Sequence, residues 1–175
     1  MLQQSQMSPD TFRTSPVEQA PAVPFSGHIN EGLRVGKRLI VVGVVEPRPD
    51  RFYILLSCGP GLGQRPPSDV ALELCVLMKE SQVLCRACVG ALGRSGEDRP
   101  LLPLHRPPAV QGRNLLPKKN ISALSSLQIE ISCQQSQFQI FVDGQQLLSF
   151  GHRVPRLQEI DTLWIAGALR ITKLG

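Results

Sequence analysis

The chain has 175 residues, of which 42% are hydrophobic, and carries a formal net charge of +5. This length is typical of a single domain with a tail. No run of about 18 apolar residues occurs, so no membrane span is expected. The first residues lack the basic start and apolar stretch of a signal peptide, which predicts a cytoplasmic or nuclear protein. Because the basic stretch 94–119 contains no Phe, Tyr or Trp, nucleic-acid binding is not expected.

Residues 1–22 form the first distinct segment of the chain. They are rich in Gln, Ser, Thr and Pro and contain few large apolar residues. Such a segment cannot bury enough surface to offset the entropy of ordering it, so it is predicted to be a disordered tail. The folded domain is predicted to span residues 23–175.

The first half of this domain is predicted to consist of short β-strands. The β-branched run 39–45 predicts a strand that ends in the Pro-rich segment 46–50, and the run 52–58 is predicted to return as its hairpin partner. Further strands are predicted over residues 70–78, 82–89 and 101–104. The stretch 105–119 contains several Pro and Gly residues without periodicity, and it is predicted to be an inserted loop.

The second half shows clearer alternation. Residues 127–133 and 138–142 alternate between apolar and polar residues, and Asp143-Gly144 predicts a two-residue hairpin turn. One helical turn is predicted within 155–161, followed by two short strands that form a last hairpin around Gly167. Many short strands separated by turns predict an all-β fold, either an antiparallel sandwich or a barrel.

The sequence shows no pattern that is typical of a metal site or an enzyme. The motif Cys85-Arg86-Ala87-Cys88 stands alone, without the further ligands that zinc requires. It lies in a predicted strand, where the two thiols face opposite sides, so they are interpreted as structural. No nucleophile elbow or phosphate-binding loop occurs. We therefore expect no cofactor, no metal and no enzymatic activity.

Several segments, in their order along the chain, resemble the galectin family: Pro24–Lys37, Val41–Val45, Asp50–Phe52, Asp69–Leu74, Phe138–Gly144 and Ile160–Gly175. The last of these is especially similar to divergent, galectin-related members. Outside the predicted insertion, the resemblance covers residues 24–175. It implies an antiparallel jelly-roll β-sandwich of two sheets and about eleven strands.

The resemblance also implies where a sugar would bind. Galectins hold β-galactosides with His-x-Asn-Pro-Arg on one strand, Asn on the next strand and Trp-x-x-Glu-x-Arg in the following loop. The Trp ring stacks on the sugar, and the polar groups bond its hydroxyls. In this chain the first motif falls on Glu73, Cys75 and Leu77, which replace the His, Asn and Arg.

The remaining positions of the implied site are also changed. The Asn of the next strand falls on Arg86. The loop motif falls near Gly93, Gly96 and Asp98, or on Leu92 in place of Gly93 if the register shifts by one residue. Neither register supplies a stacking ring, and Trp164 belongs to the predicted last hairpin.

These replacements imply a binding protein that does not bind lactose and acts through contacts with an unidentified protein partner. The alternative is a lectin with altered glycan specificity that uses Glu73 and Arg86. The same two residues are also interpreted as a cross-strand ion pair with no ligand. Galectin sandwiches pair through their terminal strands, so a monomer or a weak dimer is expected.

Overall fold

The computed structural model describes residues 21–48, 50–59, 69–88, 113–115 and 126–175. Within these residues the strands are β1 Phe25–His28, β2 Arg38–Val45, β3 Arg51–Cys58, β4 Val70–Leu77, β5 Gln82–Cys88, β6 Arg113–Leu115, β7 Ser126–Cys133, β8 Gln137–Val142, β9 Gln145–Gly151, β10 Ile160–Gly167 and β11 Leu169–Leu174. A 3-10 turn over Leu157–Glu159 confirms the helical turn predicted within 155–161.

The strands form two antiparallel sheets. The six-stranded sheet has the order β1-β10-β3-β4-β5-β6, and the five-stranded sheet has the order β11-β2-β7-β8-β9. Among the described strands, four of the nine neighbouring pairs join strands that are not consecutive in the chain, as in the pairing of Val41 on β2 with Ile129 on β7. The predicted all-β sandwich of two antiparallel sheets is therefore confirmed. None of the helices in the described ranges has the length and apolar character needed to cross a bilayer.

The core lies between the two sheets and follows from the alternation within each strand. On β4, Leu72, Leu74 and Val76 point into the core, while on β7 Leu127 and Ile129 point into it from the other sheet. Each fully buried side chain of this kind contributes about 1.5–3 kcal/mol by leaving water. The inner faces therefore hold the fold together and leave both outer faces available for other roles.

The predicted hairpin between residues 39–45 and 52–58 is wrong, although both strands exist. Strand β2 pairs with β7 and β11, whereas β3 pairs with β4 and β10 in the other sheet. Both strands bury one face completely, as Val45 and Phe52 show. The chain after β2 crosses between the sheets, so the two buried faces pack against the same core instead of sharing hydrogen bonds.

The predicted last hairpin is wrong for the same reason. Strand β10 lies in the six-stranded sheet and β11 in the five-stranded sheet. Gly167, with φ of +94°, stands at the crossing, and a Cβ there would lie 2.6 Å from the carbonyl oxygen of Arg51. Glycine fits because it has no Cβ and adopts positive φ without strain. Trp164 thus lies on β10 between β1 and β3.

The structure also differs from the predicted loop over residues 105–119. Three of these residues, Arg113–Leu115, form β6 and pair with Gln82–Leu84 on β5. The predicted strand 101–104 lies outside the described residues. So does the predicted tail, apart from its last two residues.

Candidate functional site

The outer face of the six-stranded sheet carries the predicted site residues of β4. Because side chains alternate along a strand, Leu72, Leu74 and Val76 enter the core and the residues between them face outward. Glu73 and Leu77 are half-buried on this outer side, and Cys75 between them is only 1% exposed. The structure thus brings the three predicted positions of this strand onto one face.

Glu73 and Arg86 lie directly opposite each other on β4 and β5. Arg86 Nε is 3.9 Å from Glu73 Oε1, and the side chains are 34% and 24% exposed, respectively. This separation is too long for a hydrogen bond, and Arg86 Nε is buried without a hydrogen-bond partner. The predicted cross-strand ion pair is therefore present in a loose form that leaves one buried donor unsatisfied.

The next row of this face is largely apolar. Cys75 lies between Tyr53 on β3 and Leu84 on β5. Burial raises the pKa of the Cys75 thiol, and the nearby charge of Arg86 lowers it in part. The thiol therefore stays neutral at physiological pH. Leu77, at the end of β4, lies between Arg51 and Gln82.

Trp164 and Leu55 extend the first row, and the sequence had not assigned them to the site. Trp164 pairs with Leu55, and Leu55 pairs with Glu73, so all three share the outer face. Trp164 is half-buried, and one strand separates it from Glu73. The alternation of residues 52–58 was a local signal that Leu55 points away from the core. No local sequence pattern showed that β10 and β4 are the two neighbours of β3.

The remaining predicted positions cannot be placed on this face. Gly93, Gly96 and Asp98 lie outside the residues that the structure describes. On the side of β5 away from β4, the described strand is β6, which comes from the stretch predicted as an insertion. The part of the face that is described therefore rests on β3, β4, β5 and β10.

The cysteine motif on β5 behaves as its strand position predicts. Cys85 is fully buried in the core and Cys88 is exposed, and both are free thiols. Burial raises the pKa of Cys85 to about 12. In the described parts of the chain, no three His, Cys, Asp or Glu side chains are grouped as metal ligands.

Comparison with known proteins places this arrangement in a family. The family model described as galactoside-binding lectin matches residues 24–175. The chain belongs to this family. Its members are lectins, which bind carbohydrates, and the family assignment confirms the galectin resemblance seen in the sequence.

Individual galectins match over most of this chain. Human galectin-12 is 28% identical over 169 residues, which are 95% of this chain and 44% of that protein. Human galectin-4 is 24% identical over 152 residues, which are 87% of this chain and 40% of that protein. The chain thus spans less than half the length of these two galectins.

Two solved galectin structures share the fold. A variant of human galectin-16 superimposes with a TM-score of 0.68 at 12% identity, covering 89% of this chain and 96% of that one. The galectin LEC-6 of Caenorhabditis elegans gives a TM-score of 0.63 at 22% identity, covering 87% of this chain and 89% of that one. The two-sheet arrangement described above is therefore the galectin fold.

Proposed function

We propose that this chain is a galectin-fold protein that does not bind lactose and acts through contact with another protein. The proposal rests on one observation, the composition of the outer face of the six-stranded sheet. At the positions where the family resemblance implies sugar-binding groups, this face carries an acid, a buried thiol, an aliphatic side chain and an arginine. This pattern also supports a place among the divergent, galectin-related members.

The loss of galactoside binding follows from the hydrogen bonds that these residues fail to supply. Leu77 has no polar group, and the Cys75 thiol is a weak donor that is almost fully buried. A missing polar partner costs about 1–3 kcal/mol, so several missing partners abolish useful affinity. Arg86 keeps a charge, but it lies beside Glu73 at 3.9 Å.

The proposed protein contact is supported by the apolar and aromatic side chains of this face. Trp164, Tyr53, Leu77 and Leu84 are all half-buried rather than covered. Aromatic residues are enriched in the cores of protein interfaces, and charged residues are depleted there. The nearly neutral Glu73–Arg86 pair adds no net charge to this surface. A non-enzymatic role in the cytosol or nucleus, as a monomer or weak dimer, remains part of the proposal.

A second candidate, a lectin with altered specificity, is favoured by Arg86 alone. Its buried Nε lacks an acceptor, and a buried unsatisfied donor is costly. An acidic group on a glycan would pair with the exposed part of this side chain, which is 34% exposed, and compete with Glu73 for the guanidinium. This competition makes such binding weak.

Calorimetric titration with lactose and N-acetyllactosamine tests the first proposal. We expect no heat of binding at millimolar sugar, and a submillimolar dissociation constant would contradict the proposal.

A broad glycan array tests the second candidate. Binding of an acidic glycan that is lost in Arg86→Gln would favour that candidate, and the Lys79→Gln variant, at an exposed position, serves as the matched charge control.

The division of the chain into tail, domain and loop is also part of the proposal. We propose that residues 1–22 are a disordered tail and that the stretch near 105–119 is inserted into domain 23–175. Limited proteolysis tests this division, because exposed flexible segments are cut first. We expect early cleavage within residues 1–22 and within the stretch near 105–119 on either side of Arg113–Leu115. Strands β7–β11 are expected to stay intact.

A further inference from the structure

A groove lies on the outer face of the five-stranded sheet, on the side of the molecule opposite the face discussed above. Its volume is ≈ 570 Å3, and it is lined by Arg38, Glu130, Ser132, Gln134, Phe141 and two glycines. This size is within the range of small-molecule sites. The proposed function assigns no role to this groove.

The groove follows from the register of three neighbouring strands. Arg38 on β2 pairs with Ser132 on β7, and Glu130 on β7 pairs with Phe141 on β8. Residues between them, such as Ile131, enter the core. Arg38, Glu130, Ser132 and Phe141 are therefore outward members of strands whose inner members are fixed by packing, and Gln134 follows directly after β7.

The polar groups of the groove are already held in place by bonds to one another. Arg38 Nε donates to Glu130 Oε1 at 2.7 Å, and this bond raises the pKa of the Arg38 guanidinium. Gln134 Nε2 donates to Ser132 Oγ at 2.8 Å. The Glu130 side chain is 15% exposed, whereas that of Arg38 is 60% exposed.

These groups offer both donors and acceptors without net charge. The remaining guanidinium nitrogens of Arg38 donate, and the second carboxylate oxygen of Glu130 and the amide oxygen of Gln134 accept. An anionic ligand would be repelled by Glu130, and a cationic ligand would be repelled by Arg38. A neutral ligand with many hydroxyl groups, each both donor and acceptor, matches this set.

Phe141 supplies the apolar element of the groove. It is half-buried on β8, directly opposite Glu130. An aromatic ring beside convergent polar groups is suited to a ring with one apolar C–H face and hydroxyls at its edge. We propose that this groove binds a saccharide unit, with its C–H face on Phe141 and its hydroxyls on Glu130, Arg38 and Gln134.

Nitrogen-15 NMR titration of the whole chain with maltose, cellobiose, chitobiose and mannobiose tests this proposal. At least one disaccharide is expected to shift the amides of Gly36, Ser132, Gln134 and Gly144 saturably at millimolar concentration. Phe141→Leu keeps an apolar side chain but removes the ring, and it is expected to weaken this binding about tenfold. Lys79→Gln, at an exposed position between β4 and β5 and outside both sites, is the control and is expected to leave the binding unchanged.

The outcomes separate this site from the proposed function. The groove proposal is overturned if no disaccharide shifts these amides, or if Phe141→Leu binds as tightly as the unsubstituted chain. It is also overturned if acetate or lysine amide, but no sugar, shifts them, because the ligand would then be charged. The proposed loss of lactose binding is tested separately, because lactose shifts confined to Glu73, Cys75 and Arg86 would contradict that proposal alone.

Discussion

The outer faces of the two sheets are built by the same alternation, yet they differ in chemistry. On the six-stranded sheet, aromatic and aliphatic side chains surround Glu73 and Arg86, whose charged atoms are 3.9 Å apart. On the five-stranded sheet, Arg38 and Glu130 form a hydrogen bond of 2.7 Å beside Ser132 and Phe141. One face resembles a protein interface, and the other resembles a small polar site.

This difference teaches that the outer faces vary independently of the core. Ile131 and Leu74, which point inward from the two sheets, are buried in one cluster. Their neighbours Glu130 and Glu73 face away from that cluster and contribute little to folding. The inner faces therefore determine the fold, and function has to be argued from each outer site.

The largest expected effect concerns the core that both faces share. Phe52→Ala on β3 and Phe150→Ala on β9 each remove a fully buried ring, so each is expected to lower the free energy of unfolding by about 3–5 kcal/mol. Urea denaturation measures both variants. Phe141→Leu, on the outer face, is the control and is expected to cost much less. Separate unfolding transitions for the two sheets would break the picture of one shared core.

The next effect concerns the crossing between the sheets. Gly167→Ala places a Cβ 2.6 Å from the carbonyl oxygen of Arg51 at a φ of +94°, so we expect a loss of at least about 2 kcal/mol. Gly144→Ala is the matched control. Its φ is also positive, at +81°, but its Cβ would meet open space, so it is expected to cost about 1 kcal/mol. Equal losses of stability for the two variants in thermal melts would contradict the role assigned to Gly167.

A smaller effect distinguishes the ion pairs of the two faces. Double-mutant cycles are expected to give a coupling of about 0.5–1 kcal/mol for Arg38–Glu130 and about 0–0.5 kcal/mol for Glu73–Arg86. The shorter distance and the more buried acid favour the first pair. Both couplings should decrease with added salt. A stronger coupling for Glu73–Arg86 would reverse the contrast between the faces.

The smallest effect at neutral pH belongs to Cys85. In the unfolded chain this thiol loses its proton near pH 9, whereas in the folded chain it keeps the proton up to about pH 12. Unfolding therefore releases a proton within this range, and stability falls as the pH rises from about 9 to about 12. Burial raises the pKa of Cys75 and Cys133 too, so Cys85→Ala should flatten this slope only in part.

Denaturation at several alkaline pH values measures that slope. Labelling with a thiol reagent at neutral pH provides a second measurement, in which exposed Cys88 is expected to react before buried Cys85. An unchanged slope in Cys85→Ala, or equal labelling of the two thiols, would contradict the prediction.

The amino-acid sequence by itself determined where most of the described strands form and which side of each is buried, with β6, in the stretch predicted as a loop, as an exception. The alternation of residues 127–133 predicted β7, and Asp143-Gly144 predicted the turn between β8 and β9. The same reasoning placed Glu73 and Arg86 on neighbouring strands, and the structure pairs them directly. Local signals suffice here because burial period and turn chemistry are properties of short segments.

Only the tertiary structure decided which strands that are distant in sequence are neighbours. It placed β2 and β3 in opposite sheets, brought Trp164 onto the face of Glu73, and joined Arg38 to Glu130 across 92 positions of sequence. Pairing between strands uses backbone groups that nearly all residues share, so alternation alone does not specify the partner. The partner is selected by how all the apolar faces close around one core.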